Sequence, residues 1–371
     1  MNNIDRRKWL KTAGLSSGFT LLGGFSSMAM NLHTPINTKL NGVAKLNSNE
    51  NPYGPSKAVR EVIINSLDYA CRYPSIIFHP LVEQIARKEG VTKDHIVITG
   101  GSTEGLKAAG LTFGMNGGEI IAPEPTFQSL LTYAENNGSF IHRVPVDEKM
   151  GHDLNEMERR ITAKTGLVFI CNPNNPTGTL IDKDKLRDFC LSVSNRTMVF
   201  SDEAYYDFIT EPDYPSMVEL VKENMNVIVS KTFSKVYGLA GLRIGYLVAR
   251  PDIATRLKKN VMAMTNVLAI EAAKEALRDD EFYKFSIAKN VEAKNQIYKT
   301  LDDLNLEYQK SHTNFIFFKT GKPITEMMAA MEKENVLIGR PFPPFTNWAR
   351  ISSGTIEDIK LFDKAIRKVM T

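Results

Sequence analysis

Cysteine is scarce in this chain. Three residues, Cys71, Cys171 and Cys190, lie in or beside apolar stretches. An odd count so spaced argues against a disulfide scaffold and for small buried thiols. The six histidines are scattered, with no metal-ligand spacing, so no metal site is expected. Charge of one sign is lacking too. The 46 Lys and Arg face 42 Asp and Glu, a net +4, which is no footprint for nucleic acid. No apolar run is long enough for a stable membrane span. Internal repeats and low-complexity tracts are also missing. At 371 residues the chain can bury a large core and hold two domains.

The slight basicity is concentrated at the front. Asp5-Arg6-Arg7-Lys8-Trp9-Leu10-Lys11 resembles a twin-arginine export consensus, and a mild apolar stretch with Gly and Ser runs on to Phe25. Ser27-Met28-Ala29 then places small residues at the two cleavage positions. Residues 1–29 therefore read as a signal peptide for the twin-arginine machinery, and the protein as periplasmic or otherwise exported. The alternative is a disordered basic N-terminus. Removing 1–29 takes away four Lys/Arg and one Asp, so +4 becomes +1.

From residue 95 to about 250, short apolar runs (95–99, 119–122, 166–170, 197–201, 226–230, 244–249) alternate with helical patterns. That alternation predicts an α/β fold with a mainly parallel sheet covered by helices. Beyond about 265 come long helices to 303, a strand at 312–318, a helix, a strand at 336–339 and a closing helix. Residues 30–70 read as an N-terminal arm and part of a smaller α+β domain, 71–265 as the large domain, and 266–371 as the rest of the small one.

Chemistry concentrates in SKTFSKVYGLAGLRIGY (230–246), where Lys235 stands between two hydroxyls and Arg243. A desolvated lysine beside other cations titrates low enough to be a nucleophile, which suits a phosphate-bearing aldehyde cofactor. The alternative is a structural ion pair or a solvated lysine at a strand end. In HIVITGGSTEG a strand ends in glycines before a helix, leaving N–H groups free for a phosphate; read alone, this is more often just a helix capped by Ser102 or Thr103. Asp202 closes the apolar strand TMVFSDE, where a buried carboxylate needs a cationic partner. Asn175 sits in the turn NPNNPTG, and Tyr205 three residues after Asp202; each alone reads as a turn residue and a packing aromatic. Arg350, on the strand after GRPFPPFTNW, suits bidentate capture of a carboxylate or phosphate.

These blocks, with LNSNENPYGPS (46–56), stand in the order found in pyridoxal phosphate (PLP) aminotransferases of fold type I. From about residue 43 to its end the chain resembles that family, and in detail the histidinol-phosphate aminotransferase group. The resemblance implies PLP carried on Lys235 and its phosphate held by Gly101, Ser102, Thr103, Ser234 and Arg243. It implies Asp202 on the ring nitrogen, Asn175 and Tyr205 on the ring hydroxyl, and Phe127 stacked on the ring. Arg350 becomes the arginine for the substrate's anionic group. Arg340 either reaches the substrate or caps a strand, and Tyr53 either covers the substrate or fills a turn. Tyr73 matches a tyrosine that crosses a homodimer interface to the partner's phosphate. The implied reaction moves an amino group from an amino donor to a 2-oxo acid. A related PLP decarboxylase and a catalytically silent exported binding protein are the alternatives. Because histidinol phosphate is made and consumed inside the cell, export favours a free amino acid, with Phe342 to Phe345 as an apolar wall for an aromatic side chain or, equally, as a packed loop.

Overall fold

The structure is a computed structural model and describes residues 42–75 and 77–370. The export signal expected over 1–29 lies outside the described residues. Among these, seven strands make one sheet in the order β2-β8-β7-β6-β5-β3-β4. They are β2 (Ile96–Thr99), β3 (Glu119–Glu124), β4 (Phe140–Pro145), β5 (Thr165–Cys171), β6 (Met198–Asp202), β7 (Val227–Thr232) and β8 (Gly245–Ala249). β3 to β7 pair in parallel, whereas β8 runs against both its neighbours.

The central strands are apolar on both faces because both are covered. Val168, Ile170, Val199, Val227 and Val229 pack into one cluster, with Leu186 and Phe189 of helix Lys183–Ser194. Their alternates Leu167, Phe169, Phe200 and Ile228 pack into the other, with Leu106 of helix Ser102–Gly114 and Leu130 of helix Ser129–Asn136. The same period of two sends Asp202 and Ser230 toward the second face and Glu203 and Lys231 toward the first. β4 was not among the expected strands. It is a sheet edge reading FIHRVP, exposed at Phe140 and buried at Ile141 and Val144, and so lacks an apolar run.

A separate core gathers Ala293, Ile297 and Leu301 of helix Asp280–Asp303, Ile316 and Phe318 of β9 (Phe315–Lys319), and Ala349 and Ile351 of β11 (Trp348–Ser352). Helix Ile356–Met370 closes it, and β1 (Ala44–Lys45) joins through its parallel pairing with β10 (Val336–Leu337). Helices Lys57–Asn65 and Val267–Ala276 take another place: Val59, Ala269 and Ile270 pack into the first cluster against the large sheet. Cys171 and Cys190 are buried free thiols, but Cys71 is exposed, which corrects the expectation of three buried ones. Among the described residues no helix is long and apolar enough to cross a membrane.

Candidate active site

The ends of the parallel strands supply the site, as in open α/β sheets generally. β2 leads into Gly100 and Gly101, β5 into the turn holding Asn175, β6 ends at Asp202, and β7 leads to Ser234 and Lys235. Because β8 runs the opposite way, Arg243, just before it, reaches the same edge.

At the first strand end, helix Ser102–Gly114 starts with Gly101 as its N-cap and has no side-chain cap hydrogen bond. Ser102 and Thr103 are thus first-turn residues, and the reading of either as the cap is corrected. Gly101 holds φ +78, and a side chain there would strike the Arg243 guanidinium. Arg243 itself holds a left-handed φ of 57. Its Nη1 donates to Ala240 O at 2.8 Å and to Ser234 Oγ at 3.5 Å. First-turn N–H groups, a hydroxyl and a guanidinium therefore converge, which is a cradle for a phosphate.

Lys235 Nζ donates to the Asn49 carbonyl at 3.0 Å and lies over the Tyr205 ring. Burial, followed by the nearby charge of Arg350, lowers its pKa to about 8. Asp202 is 2 % exposed, and its Oδ1 is buried without a hydrogen-bond partner. Burial raises this carboxyl to about 7, opposed by the Ala204 N–H and the Lys235 charge. An orphaned, nearly dry carboxylate oxygen fits the N–H of a protonated pyridine ring. The Tyr205 hydroxyl accepts from Asn49 Nδ2 at 2.9 Å, and burial raises its pKa, so the phenol keeps its proton.

Arg350 projects from β11, paired with Phe317 of β9. Its Nη1 donates to Asn175 Oδ1 at 2.8 Å and its Nη2 to Asn47 O at 2.9 Å, while Nε is buried and unpartnered. Burial lowers its pKa to about 10, which leaves it charged at neutral pH. Arg340 is exposed and donates to Pro341 O. Both guanidinium groups lie over the Phe342 ring, at 4.5 Å for Arg340 and 4.9 Å for Arg350. Phe342 is buried with Phe317, Trp348 and Met150. It belongs to the core beneath two cations, which is the packed-loop alternative for this residue and not the apolar wall for a substrate ring.

Phe127 packs half-buried on the second cluster. Tyr53 is buried edge-on to Phe285 at 5.0 Å, and burial lifts its hydroxyl to about 12. Tyr73 stands 88 % exposed. Asn49 is the residue that sequence reading missed. Its carbonyl holds Lys235, its amide holds Tyr205, and Ser352 Oγ anchors both its N–H and its Oδ1. The asparagine-rich run LNSNENP was the available signal; the left-handed φ of 53 that aims the carbonyl was not legible there.

Lys231 has a different environment. Its Nζ lies 3.3 Å from Glu89 Oε2 and 3.5 Å from Glu203 Oε2, and the two carboxylates raise its pKa against the effect of burial. It is a locked ammonium.

The family model for aminotransferases of class I and II matches residues 41–366. The histidinol-phosphate aminotransferase of Moorella thermoacetica is 36% identical over 332 residues, 88% of this chain and 86% of the relative. That of Caldicellulosiruptor saccharolyticus is 35% identical over 338 residues, 89% and 93% of the two chains. A solved chain from Erwinia carotovora atroseptica superposes with a TM-score of 0.85 at 31% identity, covering 88% of this chain and 95% of that one. The histidinol-phosphate aminotransferase from Sinorhizobium meliloti, solved in complex with pyridoxal-5′-phosphate, shares the fold, with a TM-score of 0.81 at 24% identity over 88% and 90% of the two chains.

Proposed function

The chain belongs to the class I and II aminotransferases, and from that premise we propose that it takes the amino group of a donor whose anionic group is gripped by Arg350. The reaction is PLP-dependent transamination to a 2-oxo acid. When bound, PLP supplies an aldehyde that condenses with the amine and an electron-poor ring that holds the electron pair left when the α-proton departs. The residues fit that group. The 101–103 N–H groups, Ser234 and Arg243 would hold the phosphate, Asp202 Oδ1 the ring N–H, Phe127 the ring face, and Asn175 and Tyr205 the ring hydroxyl. Lys235 would take a proton from the donor carbon and hand it to the carbon that was the cofactor's aldehyde; a pKa near 8 leaves it able to do both at neutral pH.

The single observation that carries the substrate reading is the pair of guanidinium groups over Phe342. Arg350 is buried and planar, suited to a two-oxygen grip, and Arg340 adds a second positive charge. This favours a phosphate-bearing or doubly anionic donor, and the names of the relatives point the same way. The export signal read in residues 1–29 favours a free amino acid instead. Comparing kcat/KM for histidinol phosphate with that for phenylalanine, tyrosine and aspartate decides between them. A preference for phenylalanine or tyrosine would overturn the phosphate or dianion reading, and one for aspartate would leave the dianion and remove the phosphate.

We place the enzyme outside the cytoplasmic membrane on the strength of Arg6-Arg7 and the Ser27–Ala29 cleavage site. Fractionation of cells expressing the unaltered chain and an Arg6→Lys/Arg7→Lys variant tests this; cytoplasmic retention of the unaltered chain sinks it. We also propose a homodimer. Ile64, Leu67, Tyr69 and Tyr73 are exposed, as are Met262 and Met264 just before helix Val267–Ala276, which packs on helix Lys57–Asn65. A monomer in sedimentation equilibrium would remove the dimer. Recovery of activity on mixing Lys235→Ala subunits with impaired Tyr73→Phe subunits would support a shared site.

A further inference from the structure

Three residues that carry buried, unpartnered polar atoms line one small cavity. Asn290 Oδ1, Asn314 Oδ1 and Ser353 Oγ each lack a hydrogen-bond partner. Their residues are 7, 3 and 5 % exposed, and all three line a cavity of about 20 Å³ walled on its apolar side by Pro52, Tyr53 and Phe208. A single water needs roughly 10–15 Å³ and two to four polar partners. The amide nitrogens are already committed: Asn290 Nδ2 donates to Thr313 O at 3.1 Å and Asn314 Nδ2 to Asn49 O at 3.0 Å. Both amide oxygens are buried and belong to residues that line the cavity, and Ser353 is fixed by its N–H to Asn314 O at 2.8 Å.

We infer that one ordered water occupies this cavity, donating to Asn290 Oδ1 and Asn314 Oδ1 and accepting from the Ser353 hydroxyl, and that Asn314 is thereby made a positioning residue for Lys235. The hydrogen-bond count closes, with two acceptors for the two protons of water and one donor for its lone pair. Left unpaired, each atom would forfeit the hydrogen bond it makes with water in the unfolded chain. Of the other polar residues lining the cavity, Glu50 pairs with Lys45 and Asn51 Nδ2 donates to Ser286 Oγ, and a hard cation, which takes six or more oxygens, is the poorer occupant beside the Lys289 ammonium. The consequence reaches the chemistry through one carbonyl. Asn49 O accepts from Lys235 Nζ and Asn314 Nδ2, both at 3.0 Å. With Asn314 held by the water, the carbonyl stays aimed at the lysine whenever its amine is free.

The inference rests on Lys235 as the cofactor lysine, and the test separates the two. In a crystal structure of the loaded, full-length protein that resolves waters, one peak should lie within hydrogen-bond distance of all three atoms. Asn290→Leu should dry the cavity while leaving Asn314 in place, and Ser353→Ala should remove the donor. The readout is the pH dependence of pyridoxal phosphate uptake by cofactor-free protein, followed by absorbance. A misaimed carbonyl stabilises the ammonium less, so the midpoint should fall by roughly half a unit or more in Asn290→Leu and by less in Ser353→Ala. kcat should drop several-fold with KM within about twofold. A dry cavity, a peak with six oxygens at metal distance, or midpoints unchanged in both variants overturns the inference. Failure of the unaltered protein to take up the cofactor on Lys235 would instead overturn the functional reading.

Discussion

Lys231 and Lys235, four residues apart at the end of β7, face opposite charge environments. Lys231 points to the sheet face of Glu203 and lies within 3.5 Å of two carboxylates. Lys235, beyond the strand, has a backbone carbonyl as its hydrogen-bond partner and Arg350 nearby. One is held protonated as part of the core; the other is lowered toward neutrality. The alternative of a structural ion pair, open for this segment from sequence, describes Lys231.

Lys231→Met should therefore act on stability. It leaves Glu89 and Glu203 buried and unpaired, which costs about 3–5 kcal/mol. Urea unfolding of the loaded protein should show the loss, with the cofactor absorbance of the surviving folded fraction retained. Unchanged stability would mean that the ion pairs of Lys231 do not hold the fold.

Asp202→Asn should keep PLP bound, because the amide still meets the ring nitrogen. It should lower kcat on the order of 10³-fold, because a neutral partner no longer keeps that nitrogen protonated. Stopped-flow half-reactions read the proton-transfer step directly. Turnover within a few-fold of normal would remove Asp202 from the mechanism.

Arg350→Lys should raise KM for anionic donors on the order of 10- to 100-fold, since a point charge cannot replace the two-nitrogen grip. Small amines without a carboxylate or phosphate should lose far less. An equal loss for both kinds of donor would show that Arg350 acts through Asn175 on the site itself, its hydrogen-bond partner at 2.8 Å.

The cofactor-free protein should show the titrations of Lys235 and Asp202 in its stability. The folded pKa of Lys235, about 8, is below its ordinary 10.5. Its contribution is present above 10.5 and is lost as pH falls through about 8. Lys235→Met should thus raise Tm by a few degrees, with a gap that widens from about pH 10 to 8 and levels off below. Asp202 runs the other way. Its folded pKa, about 7, is above the ordinary 3.8, so its contribution is full below 3.8 and lost as pH rises through 7. Asp202→Asn should help most above pH 7. A Lys235→Met gap independent of pH would place that amine in water.

Much of the site was legible because its chemistry is local. Lys235, Ser234 and Arg243 share one segment, and Asp202 and Tyr205 another, so short ordered blocks carry the family resemblance that named them. The strands covered on both faces were legible as apolar runs. What escaped is long-range. Asn49 acts through a carbonyl aimed by a left-handed turn and pinned by Ser352, 303 residues away. Phe342 looked like a free apolar surface because nothing local tells that Phe317 and Trp348 enclose it. Helix Val267–Ala276 reads alike whether it packs on the small core or, as here, on the large sheet. Edge strand β4 buries Ile141 in one cluster and Val144 in the other, so it offers neither an apolar run nor a regular alternation.

The most direct test of the account is to reduce the loaded enzyme with borohydride and map the peptide that carries the pyridoxyl group. The adduct should sit on Lys235, with Lys231 unmodified and the yellow absorbance bleached in proportion. An adduct on Lys231, or on no lysine of 230–246, would contradict the electrostatic division between the two and the mechanism built on it.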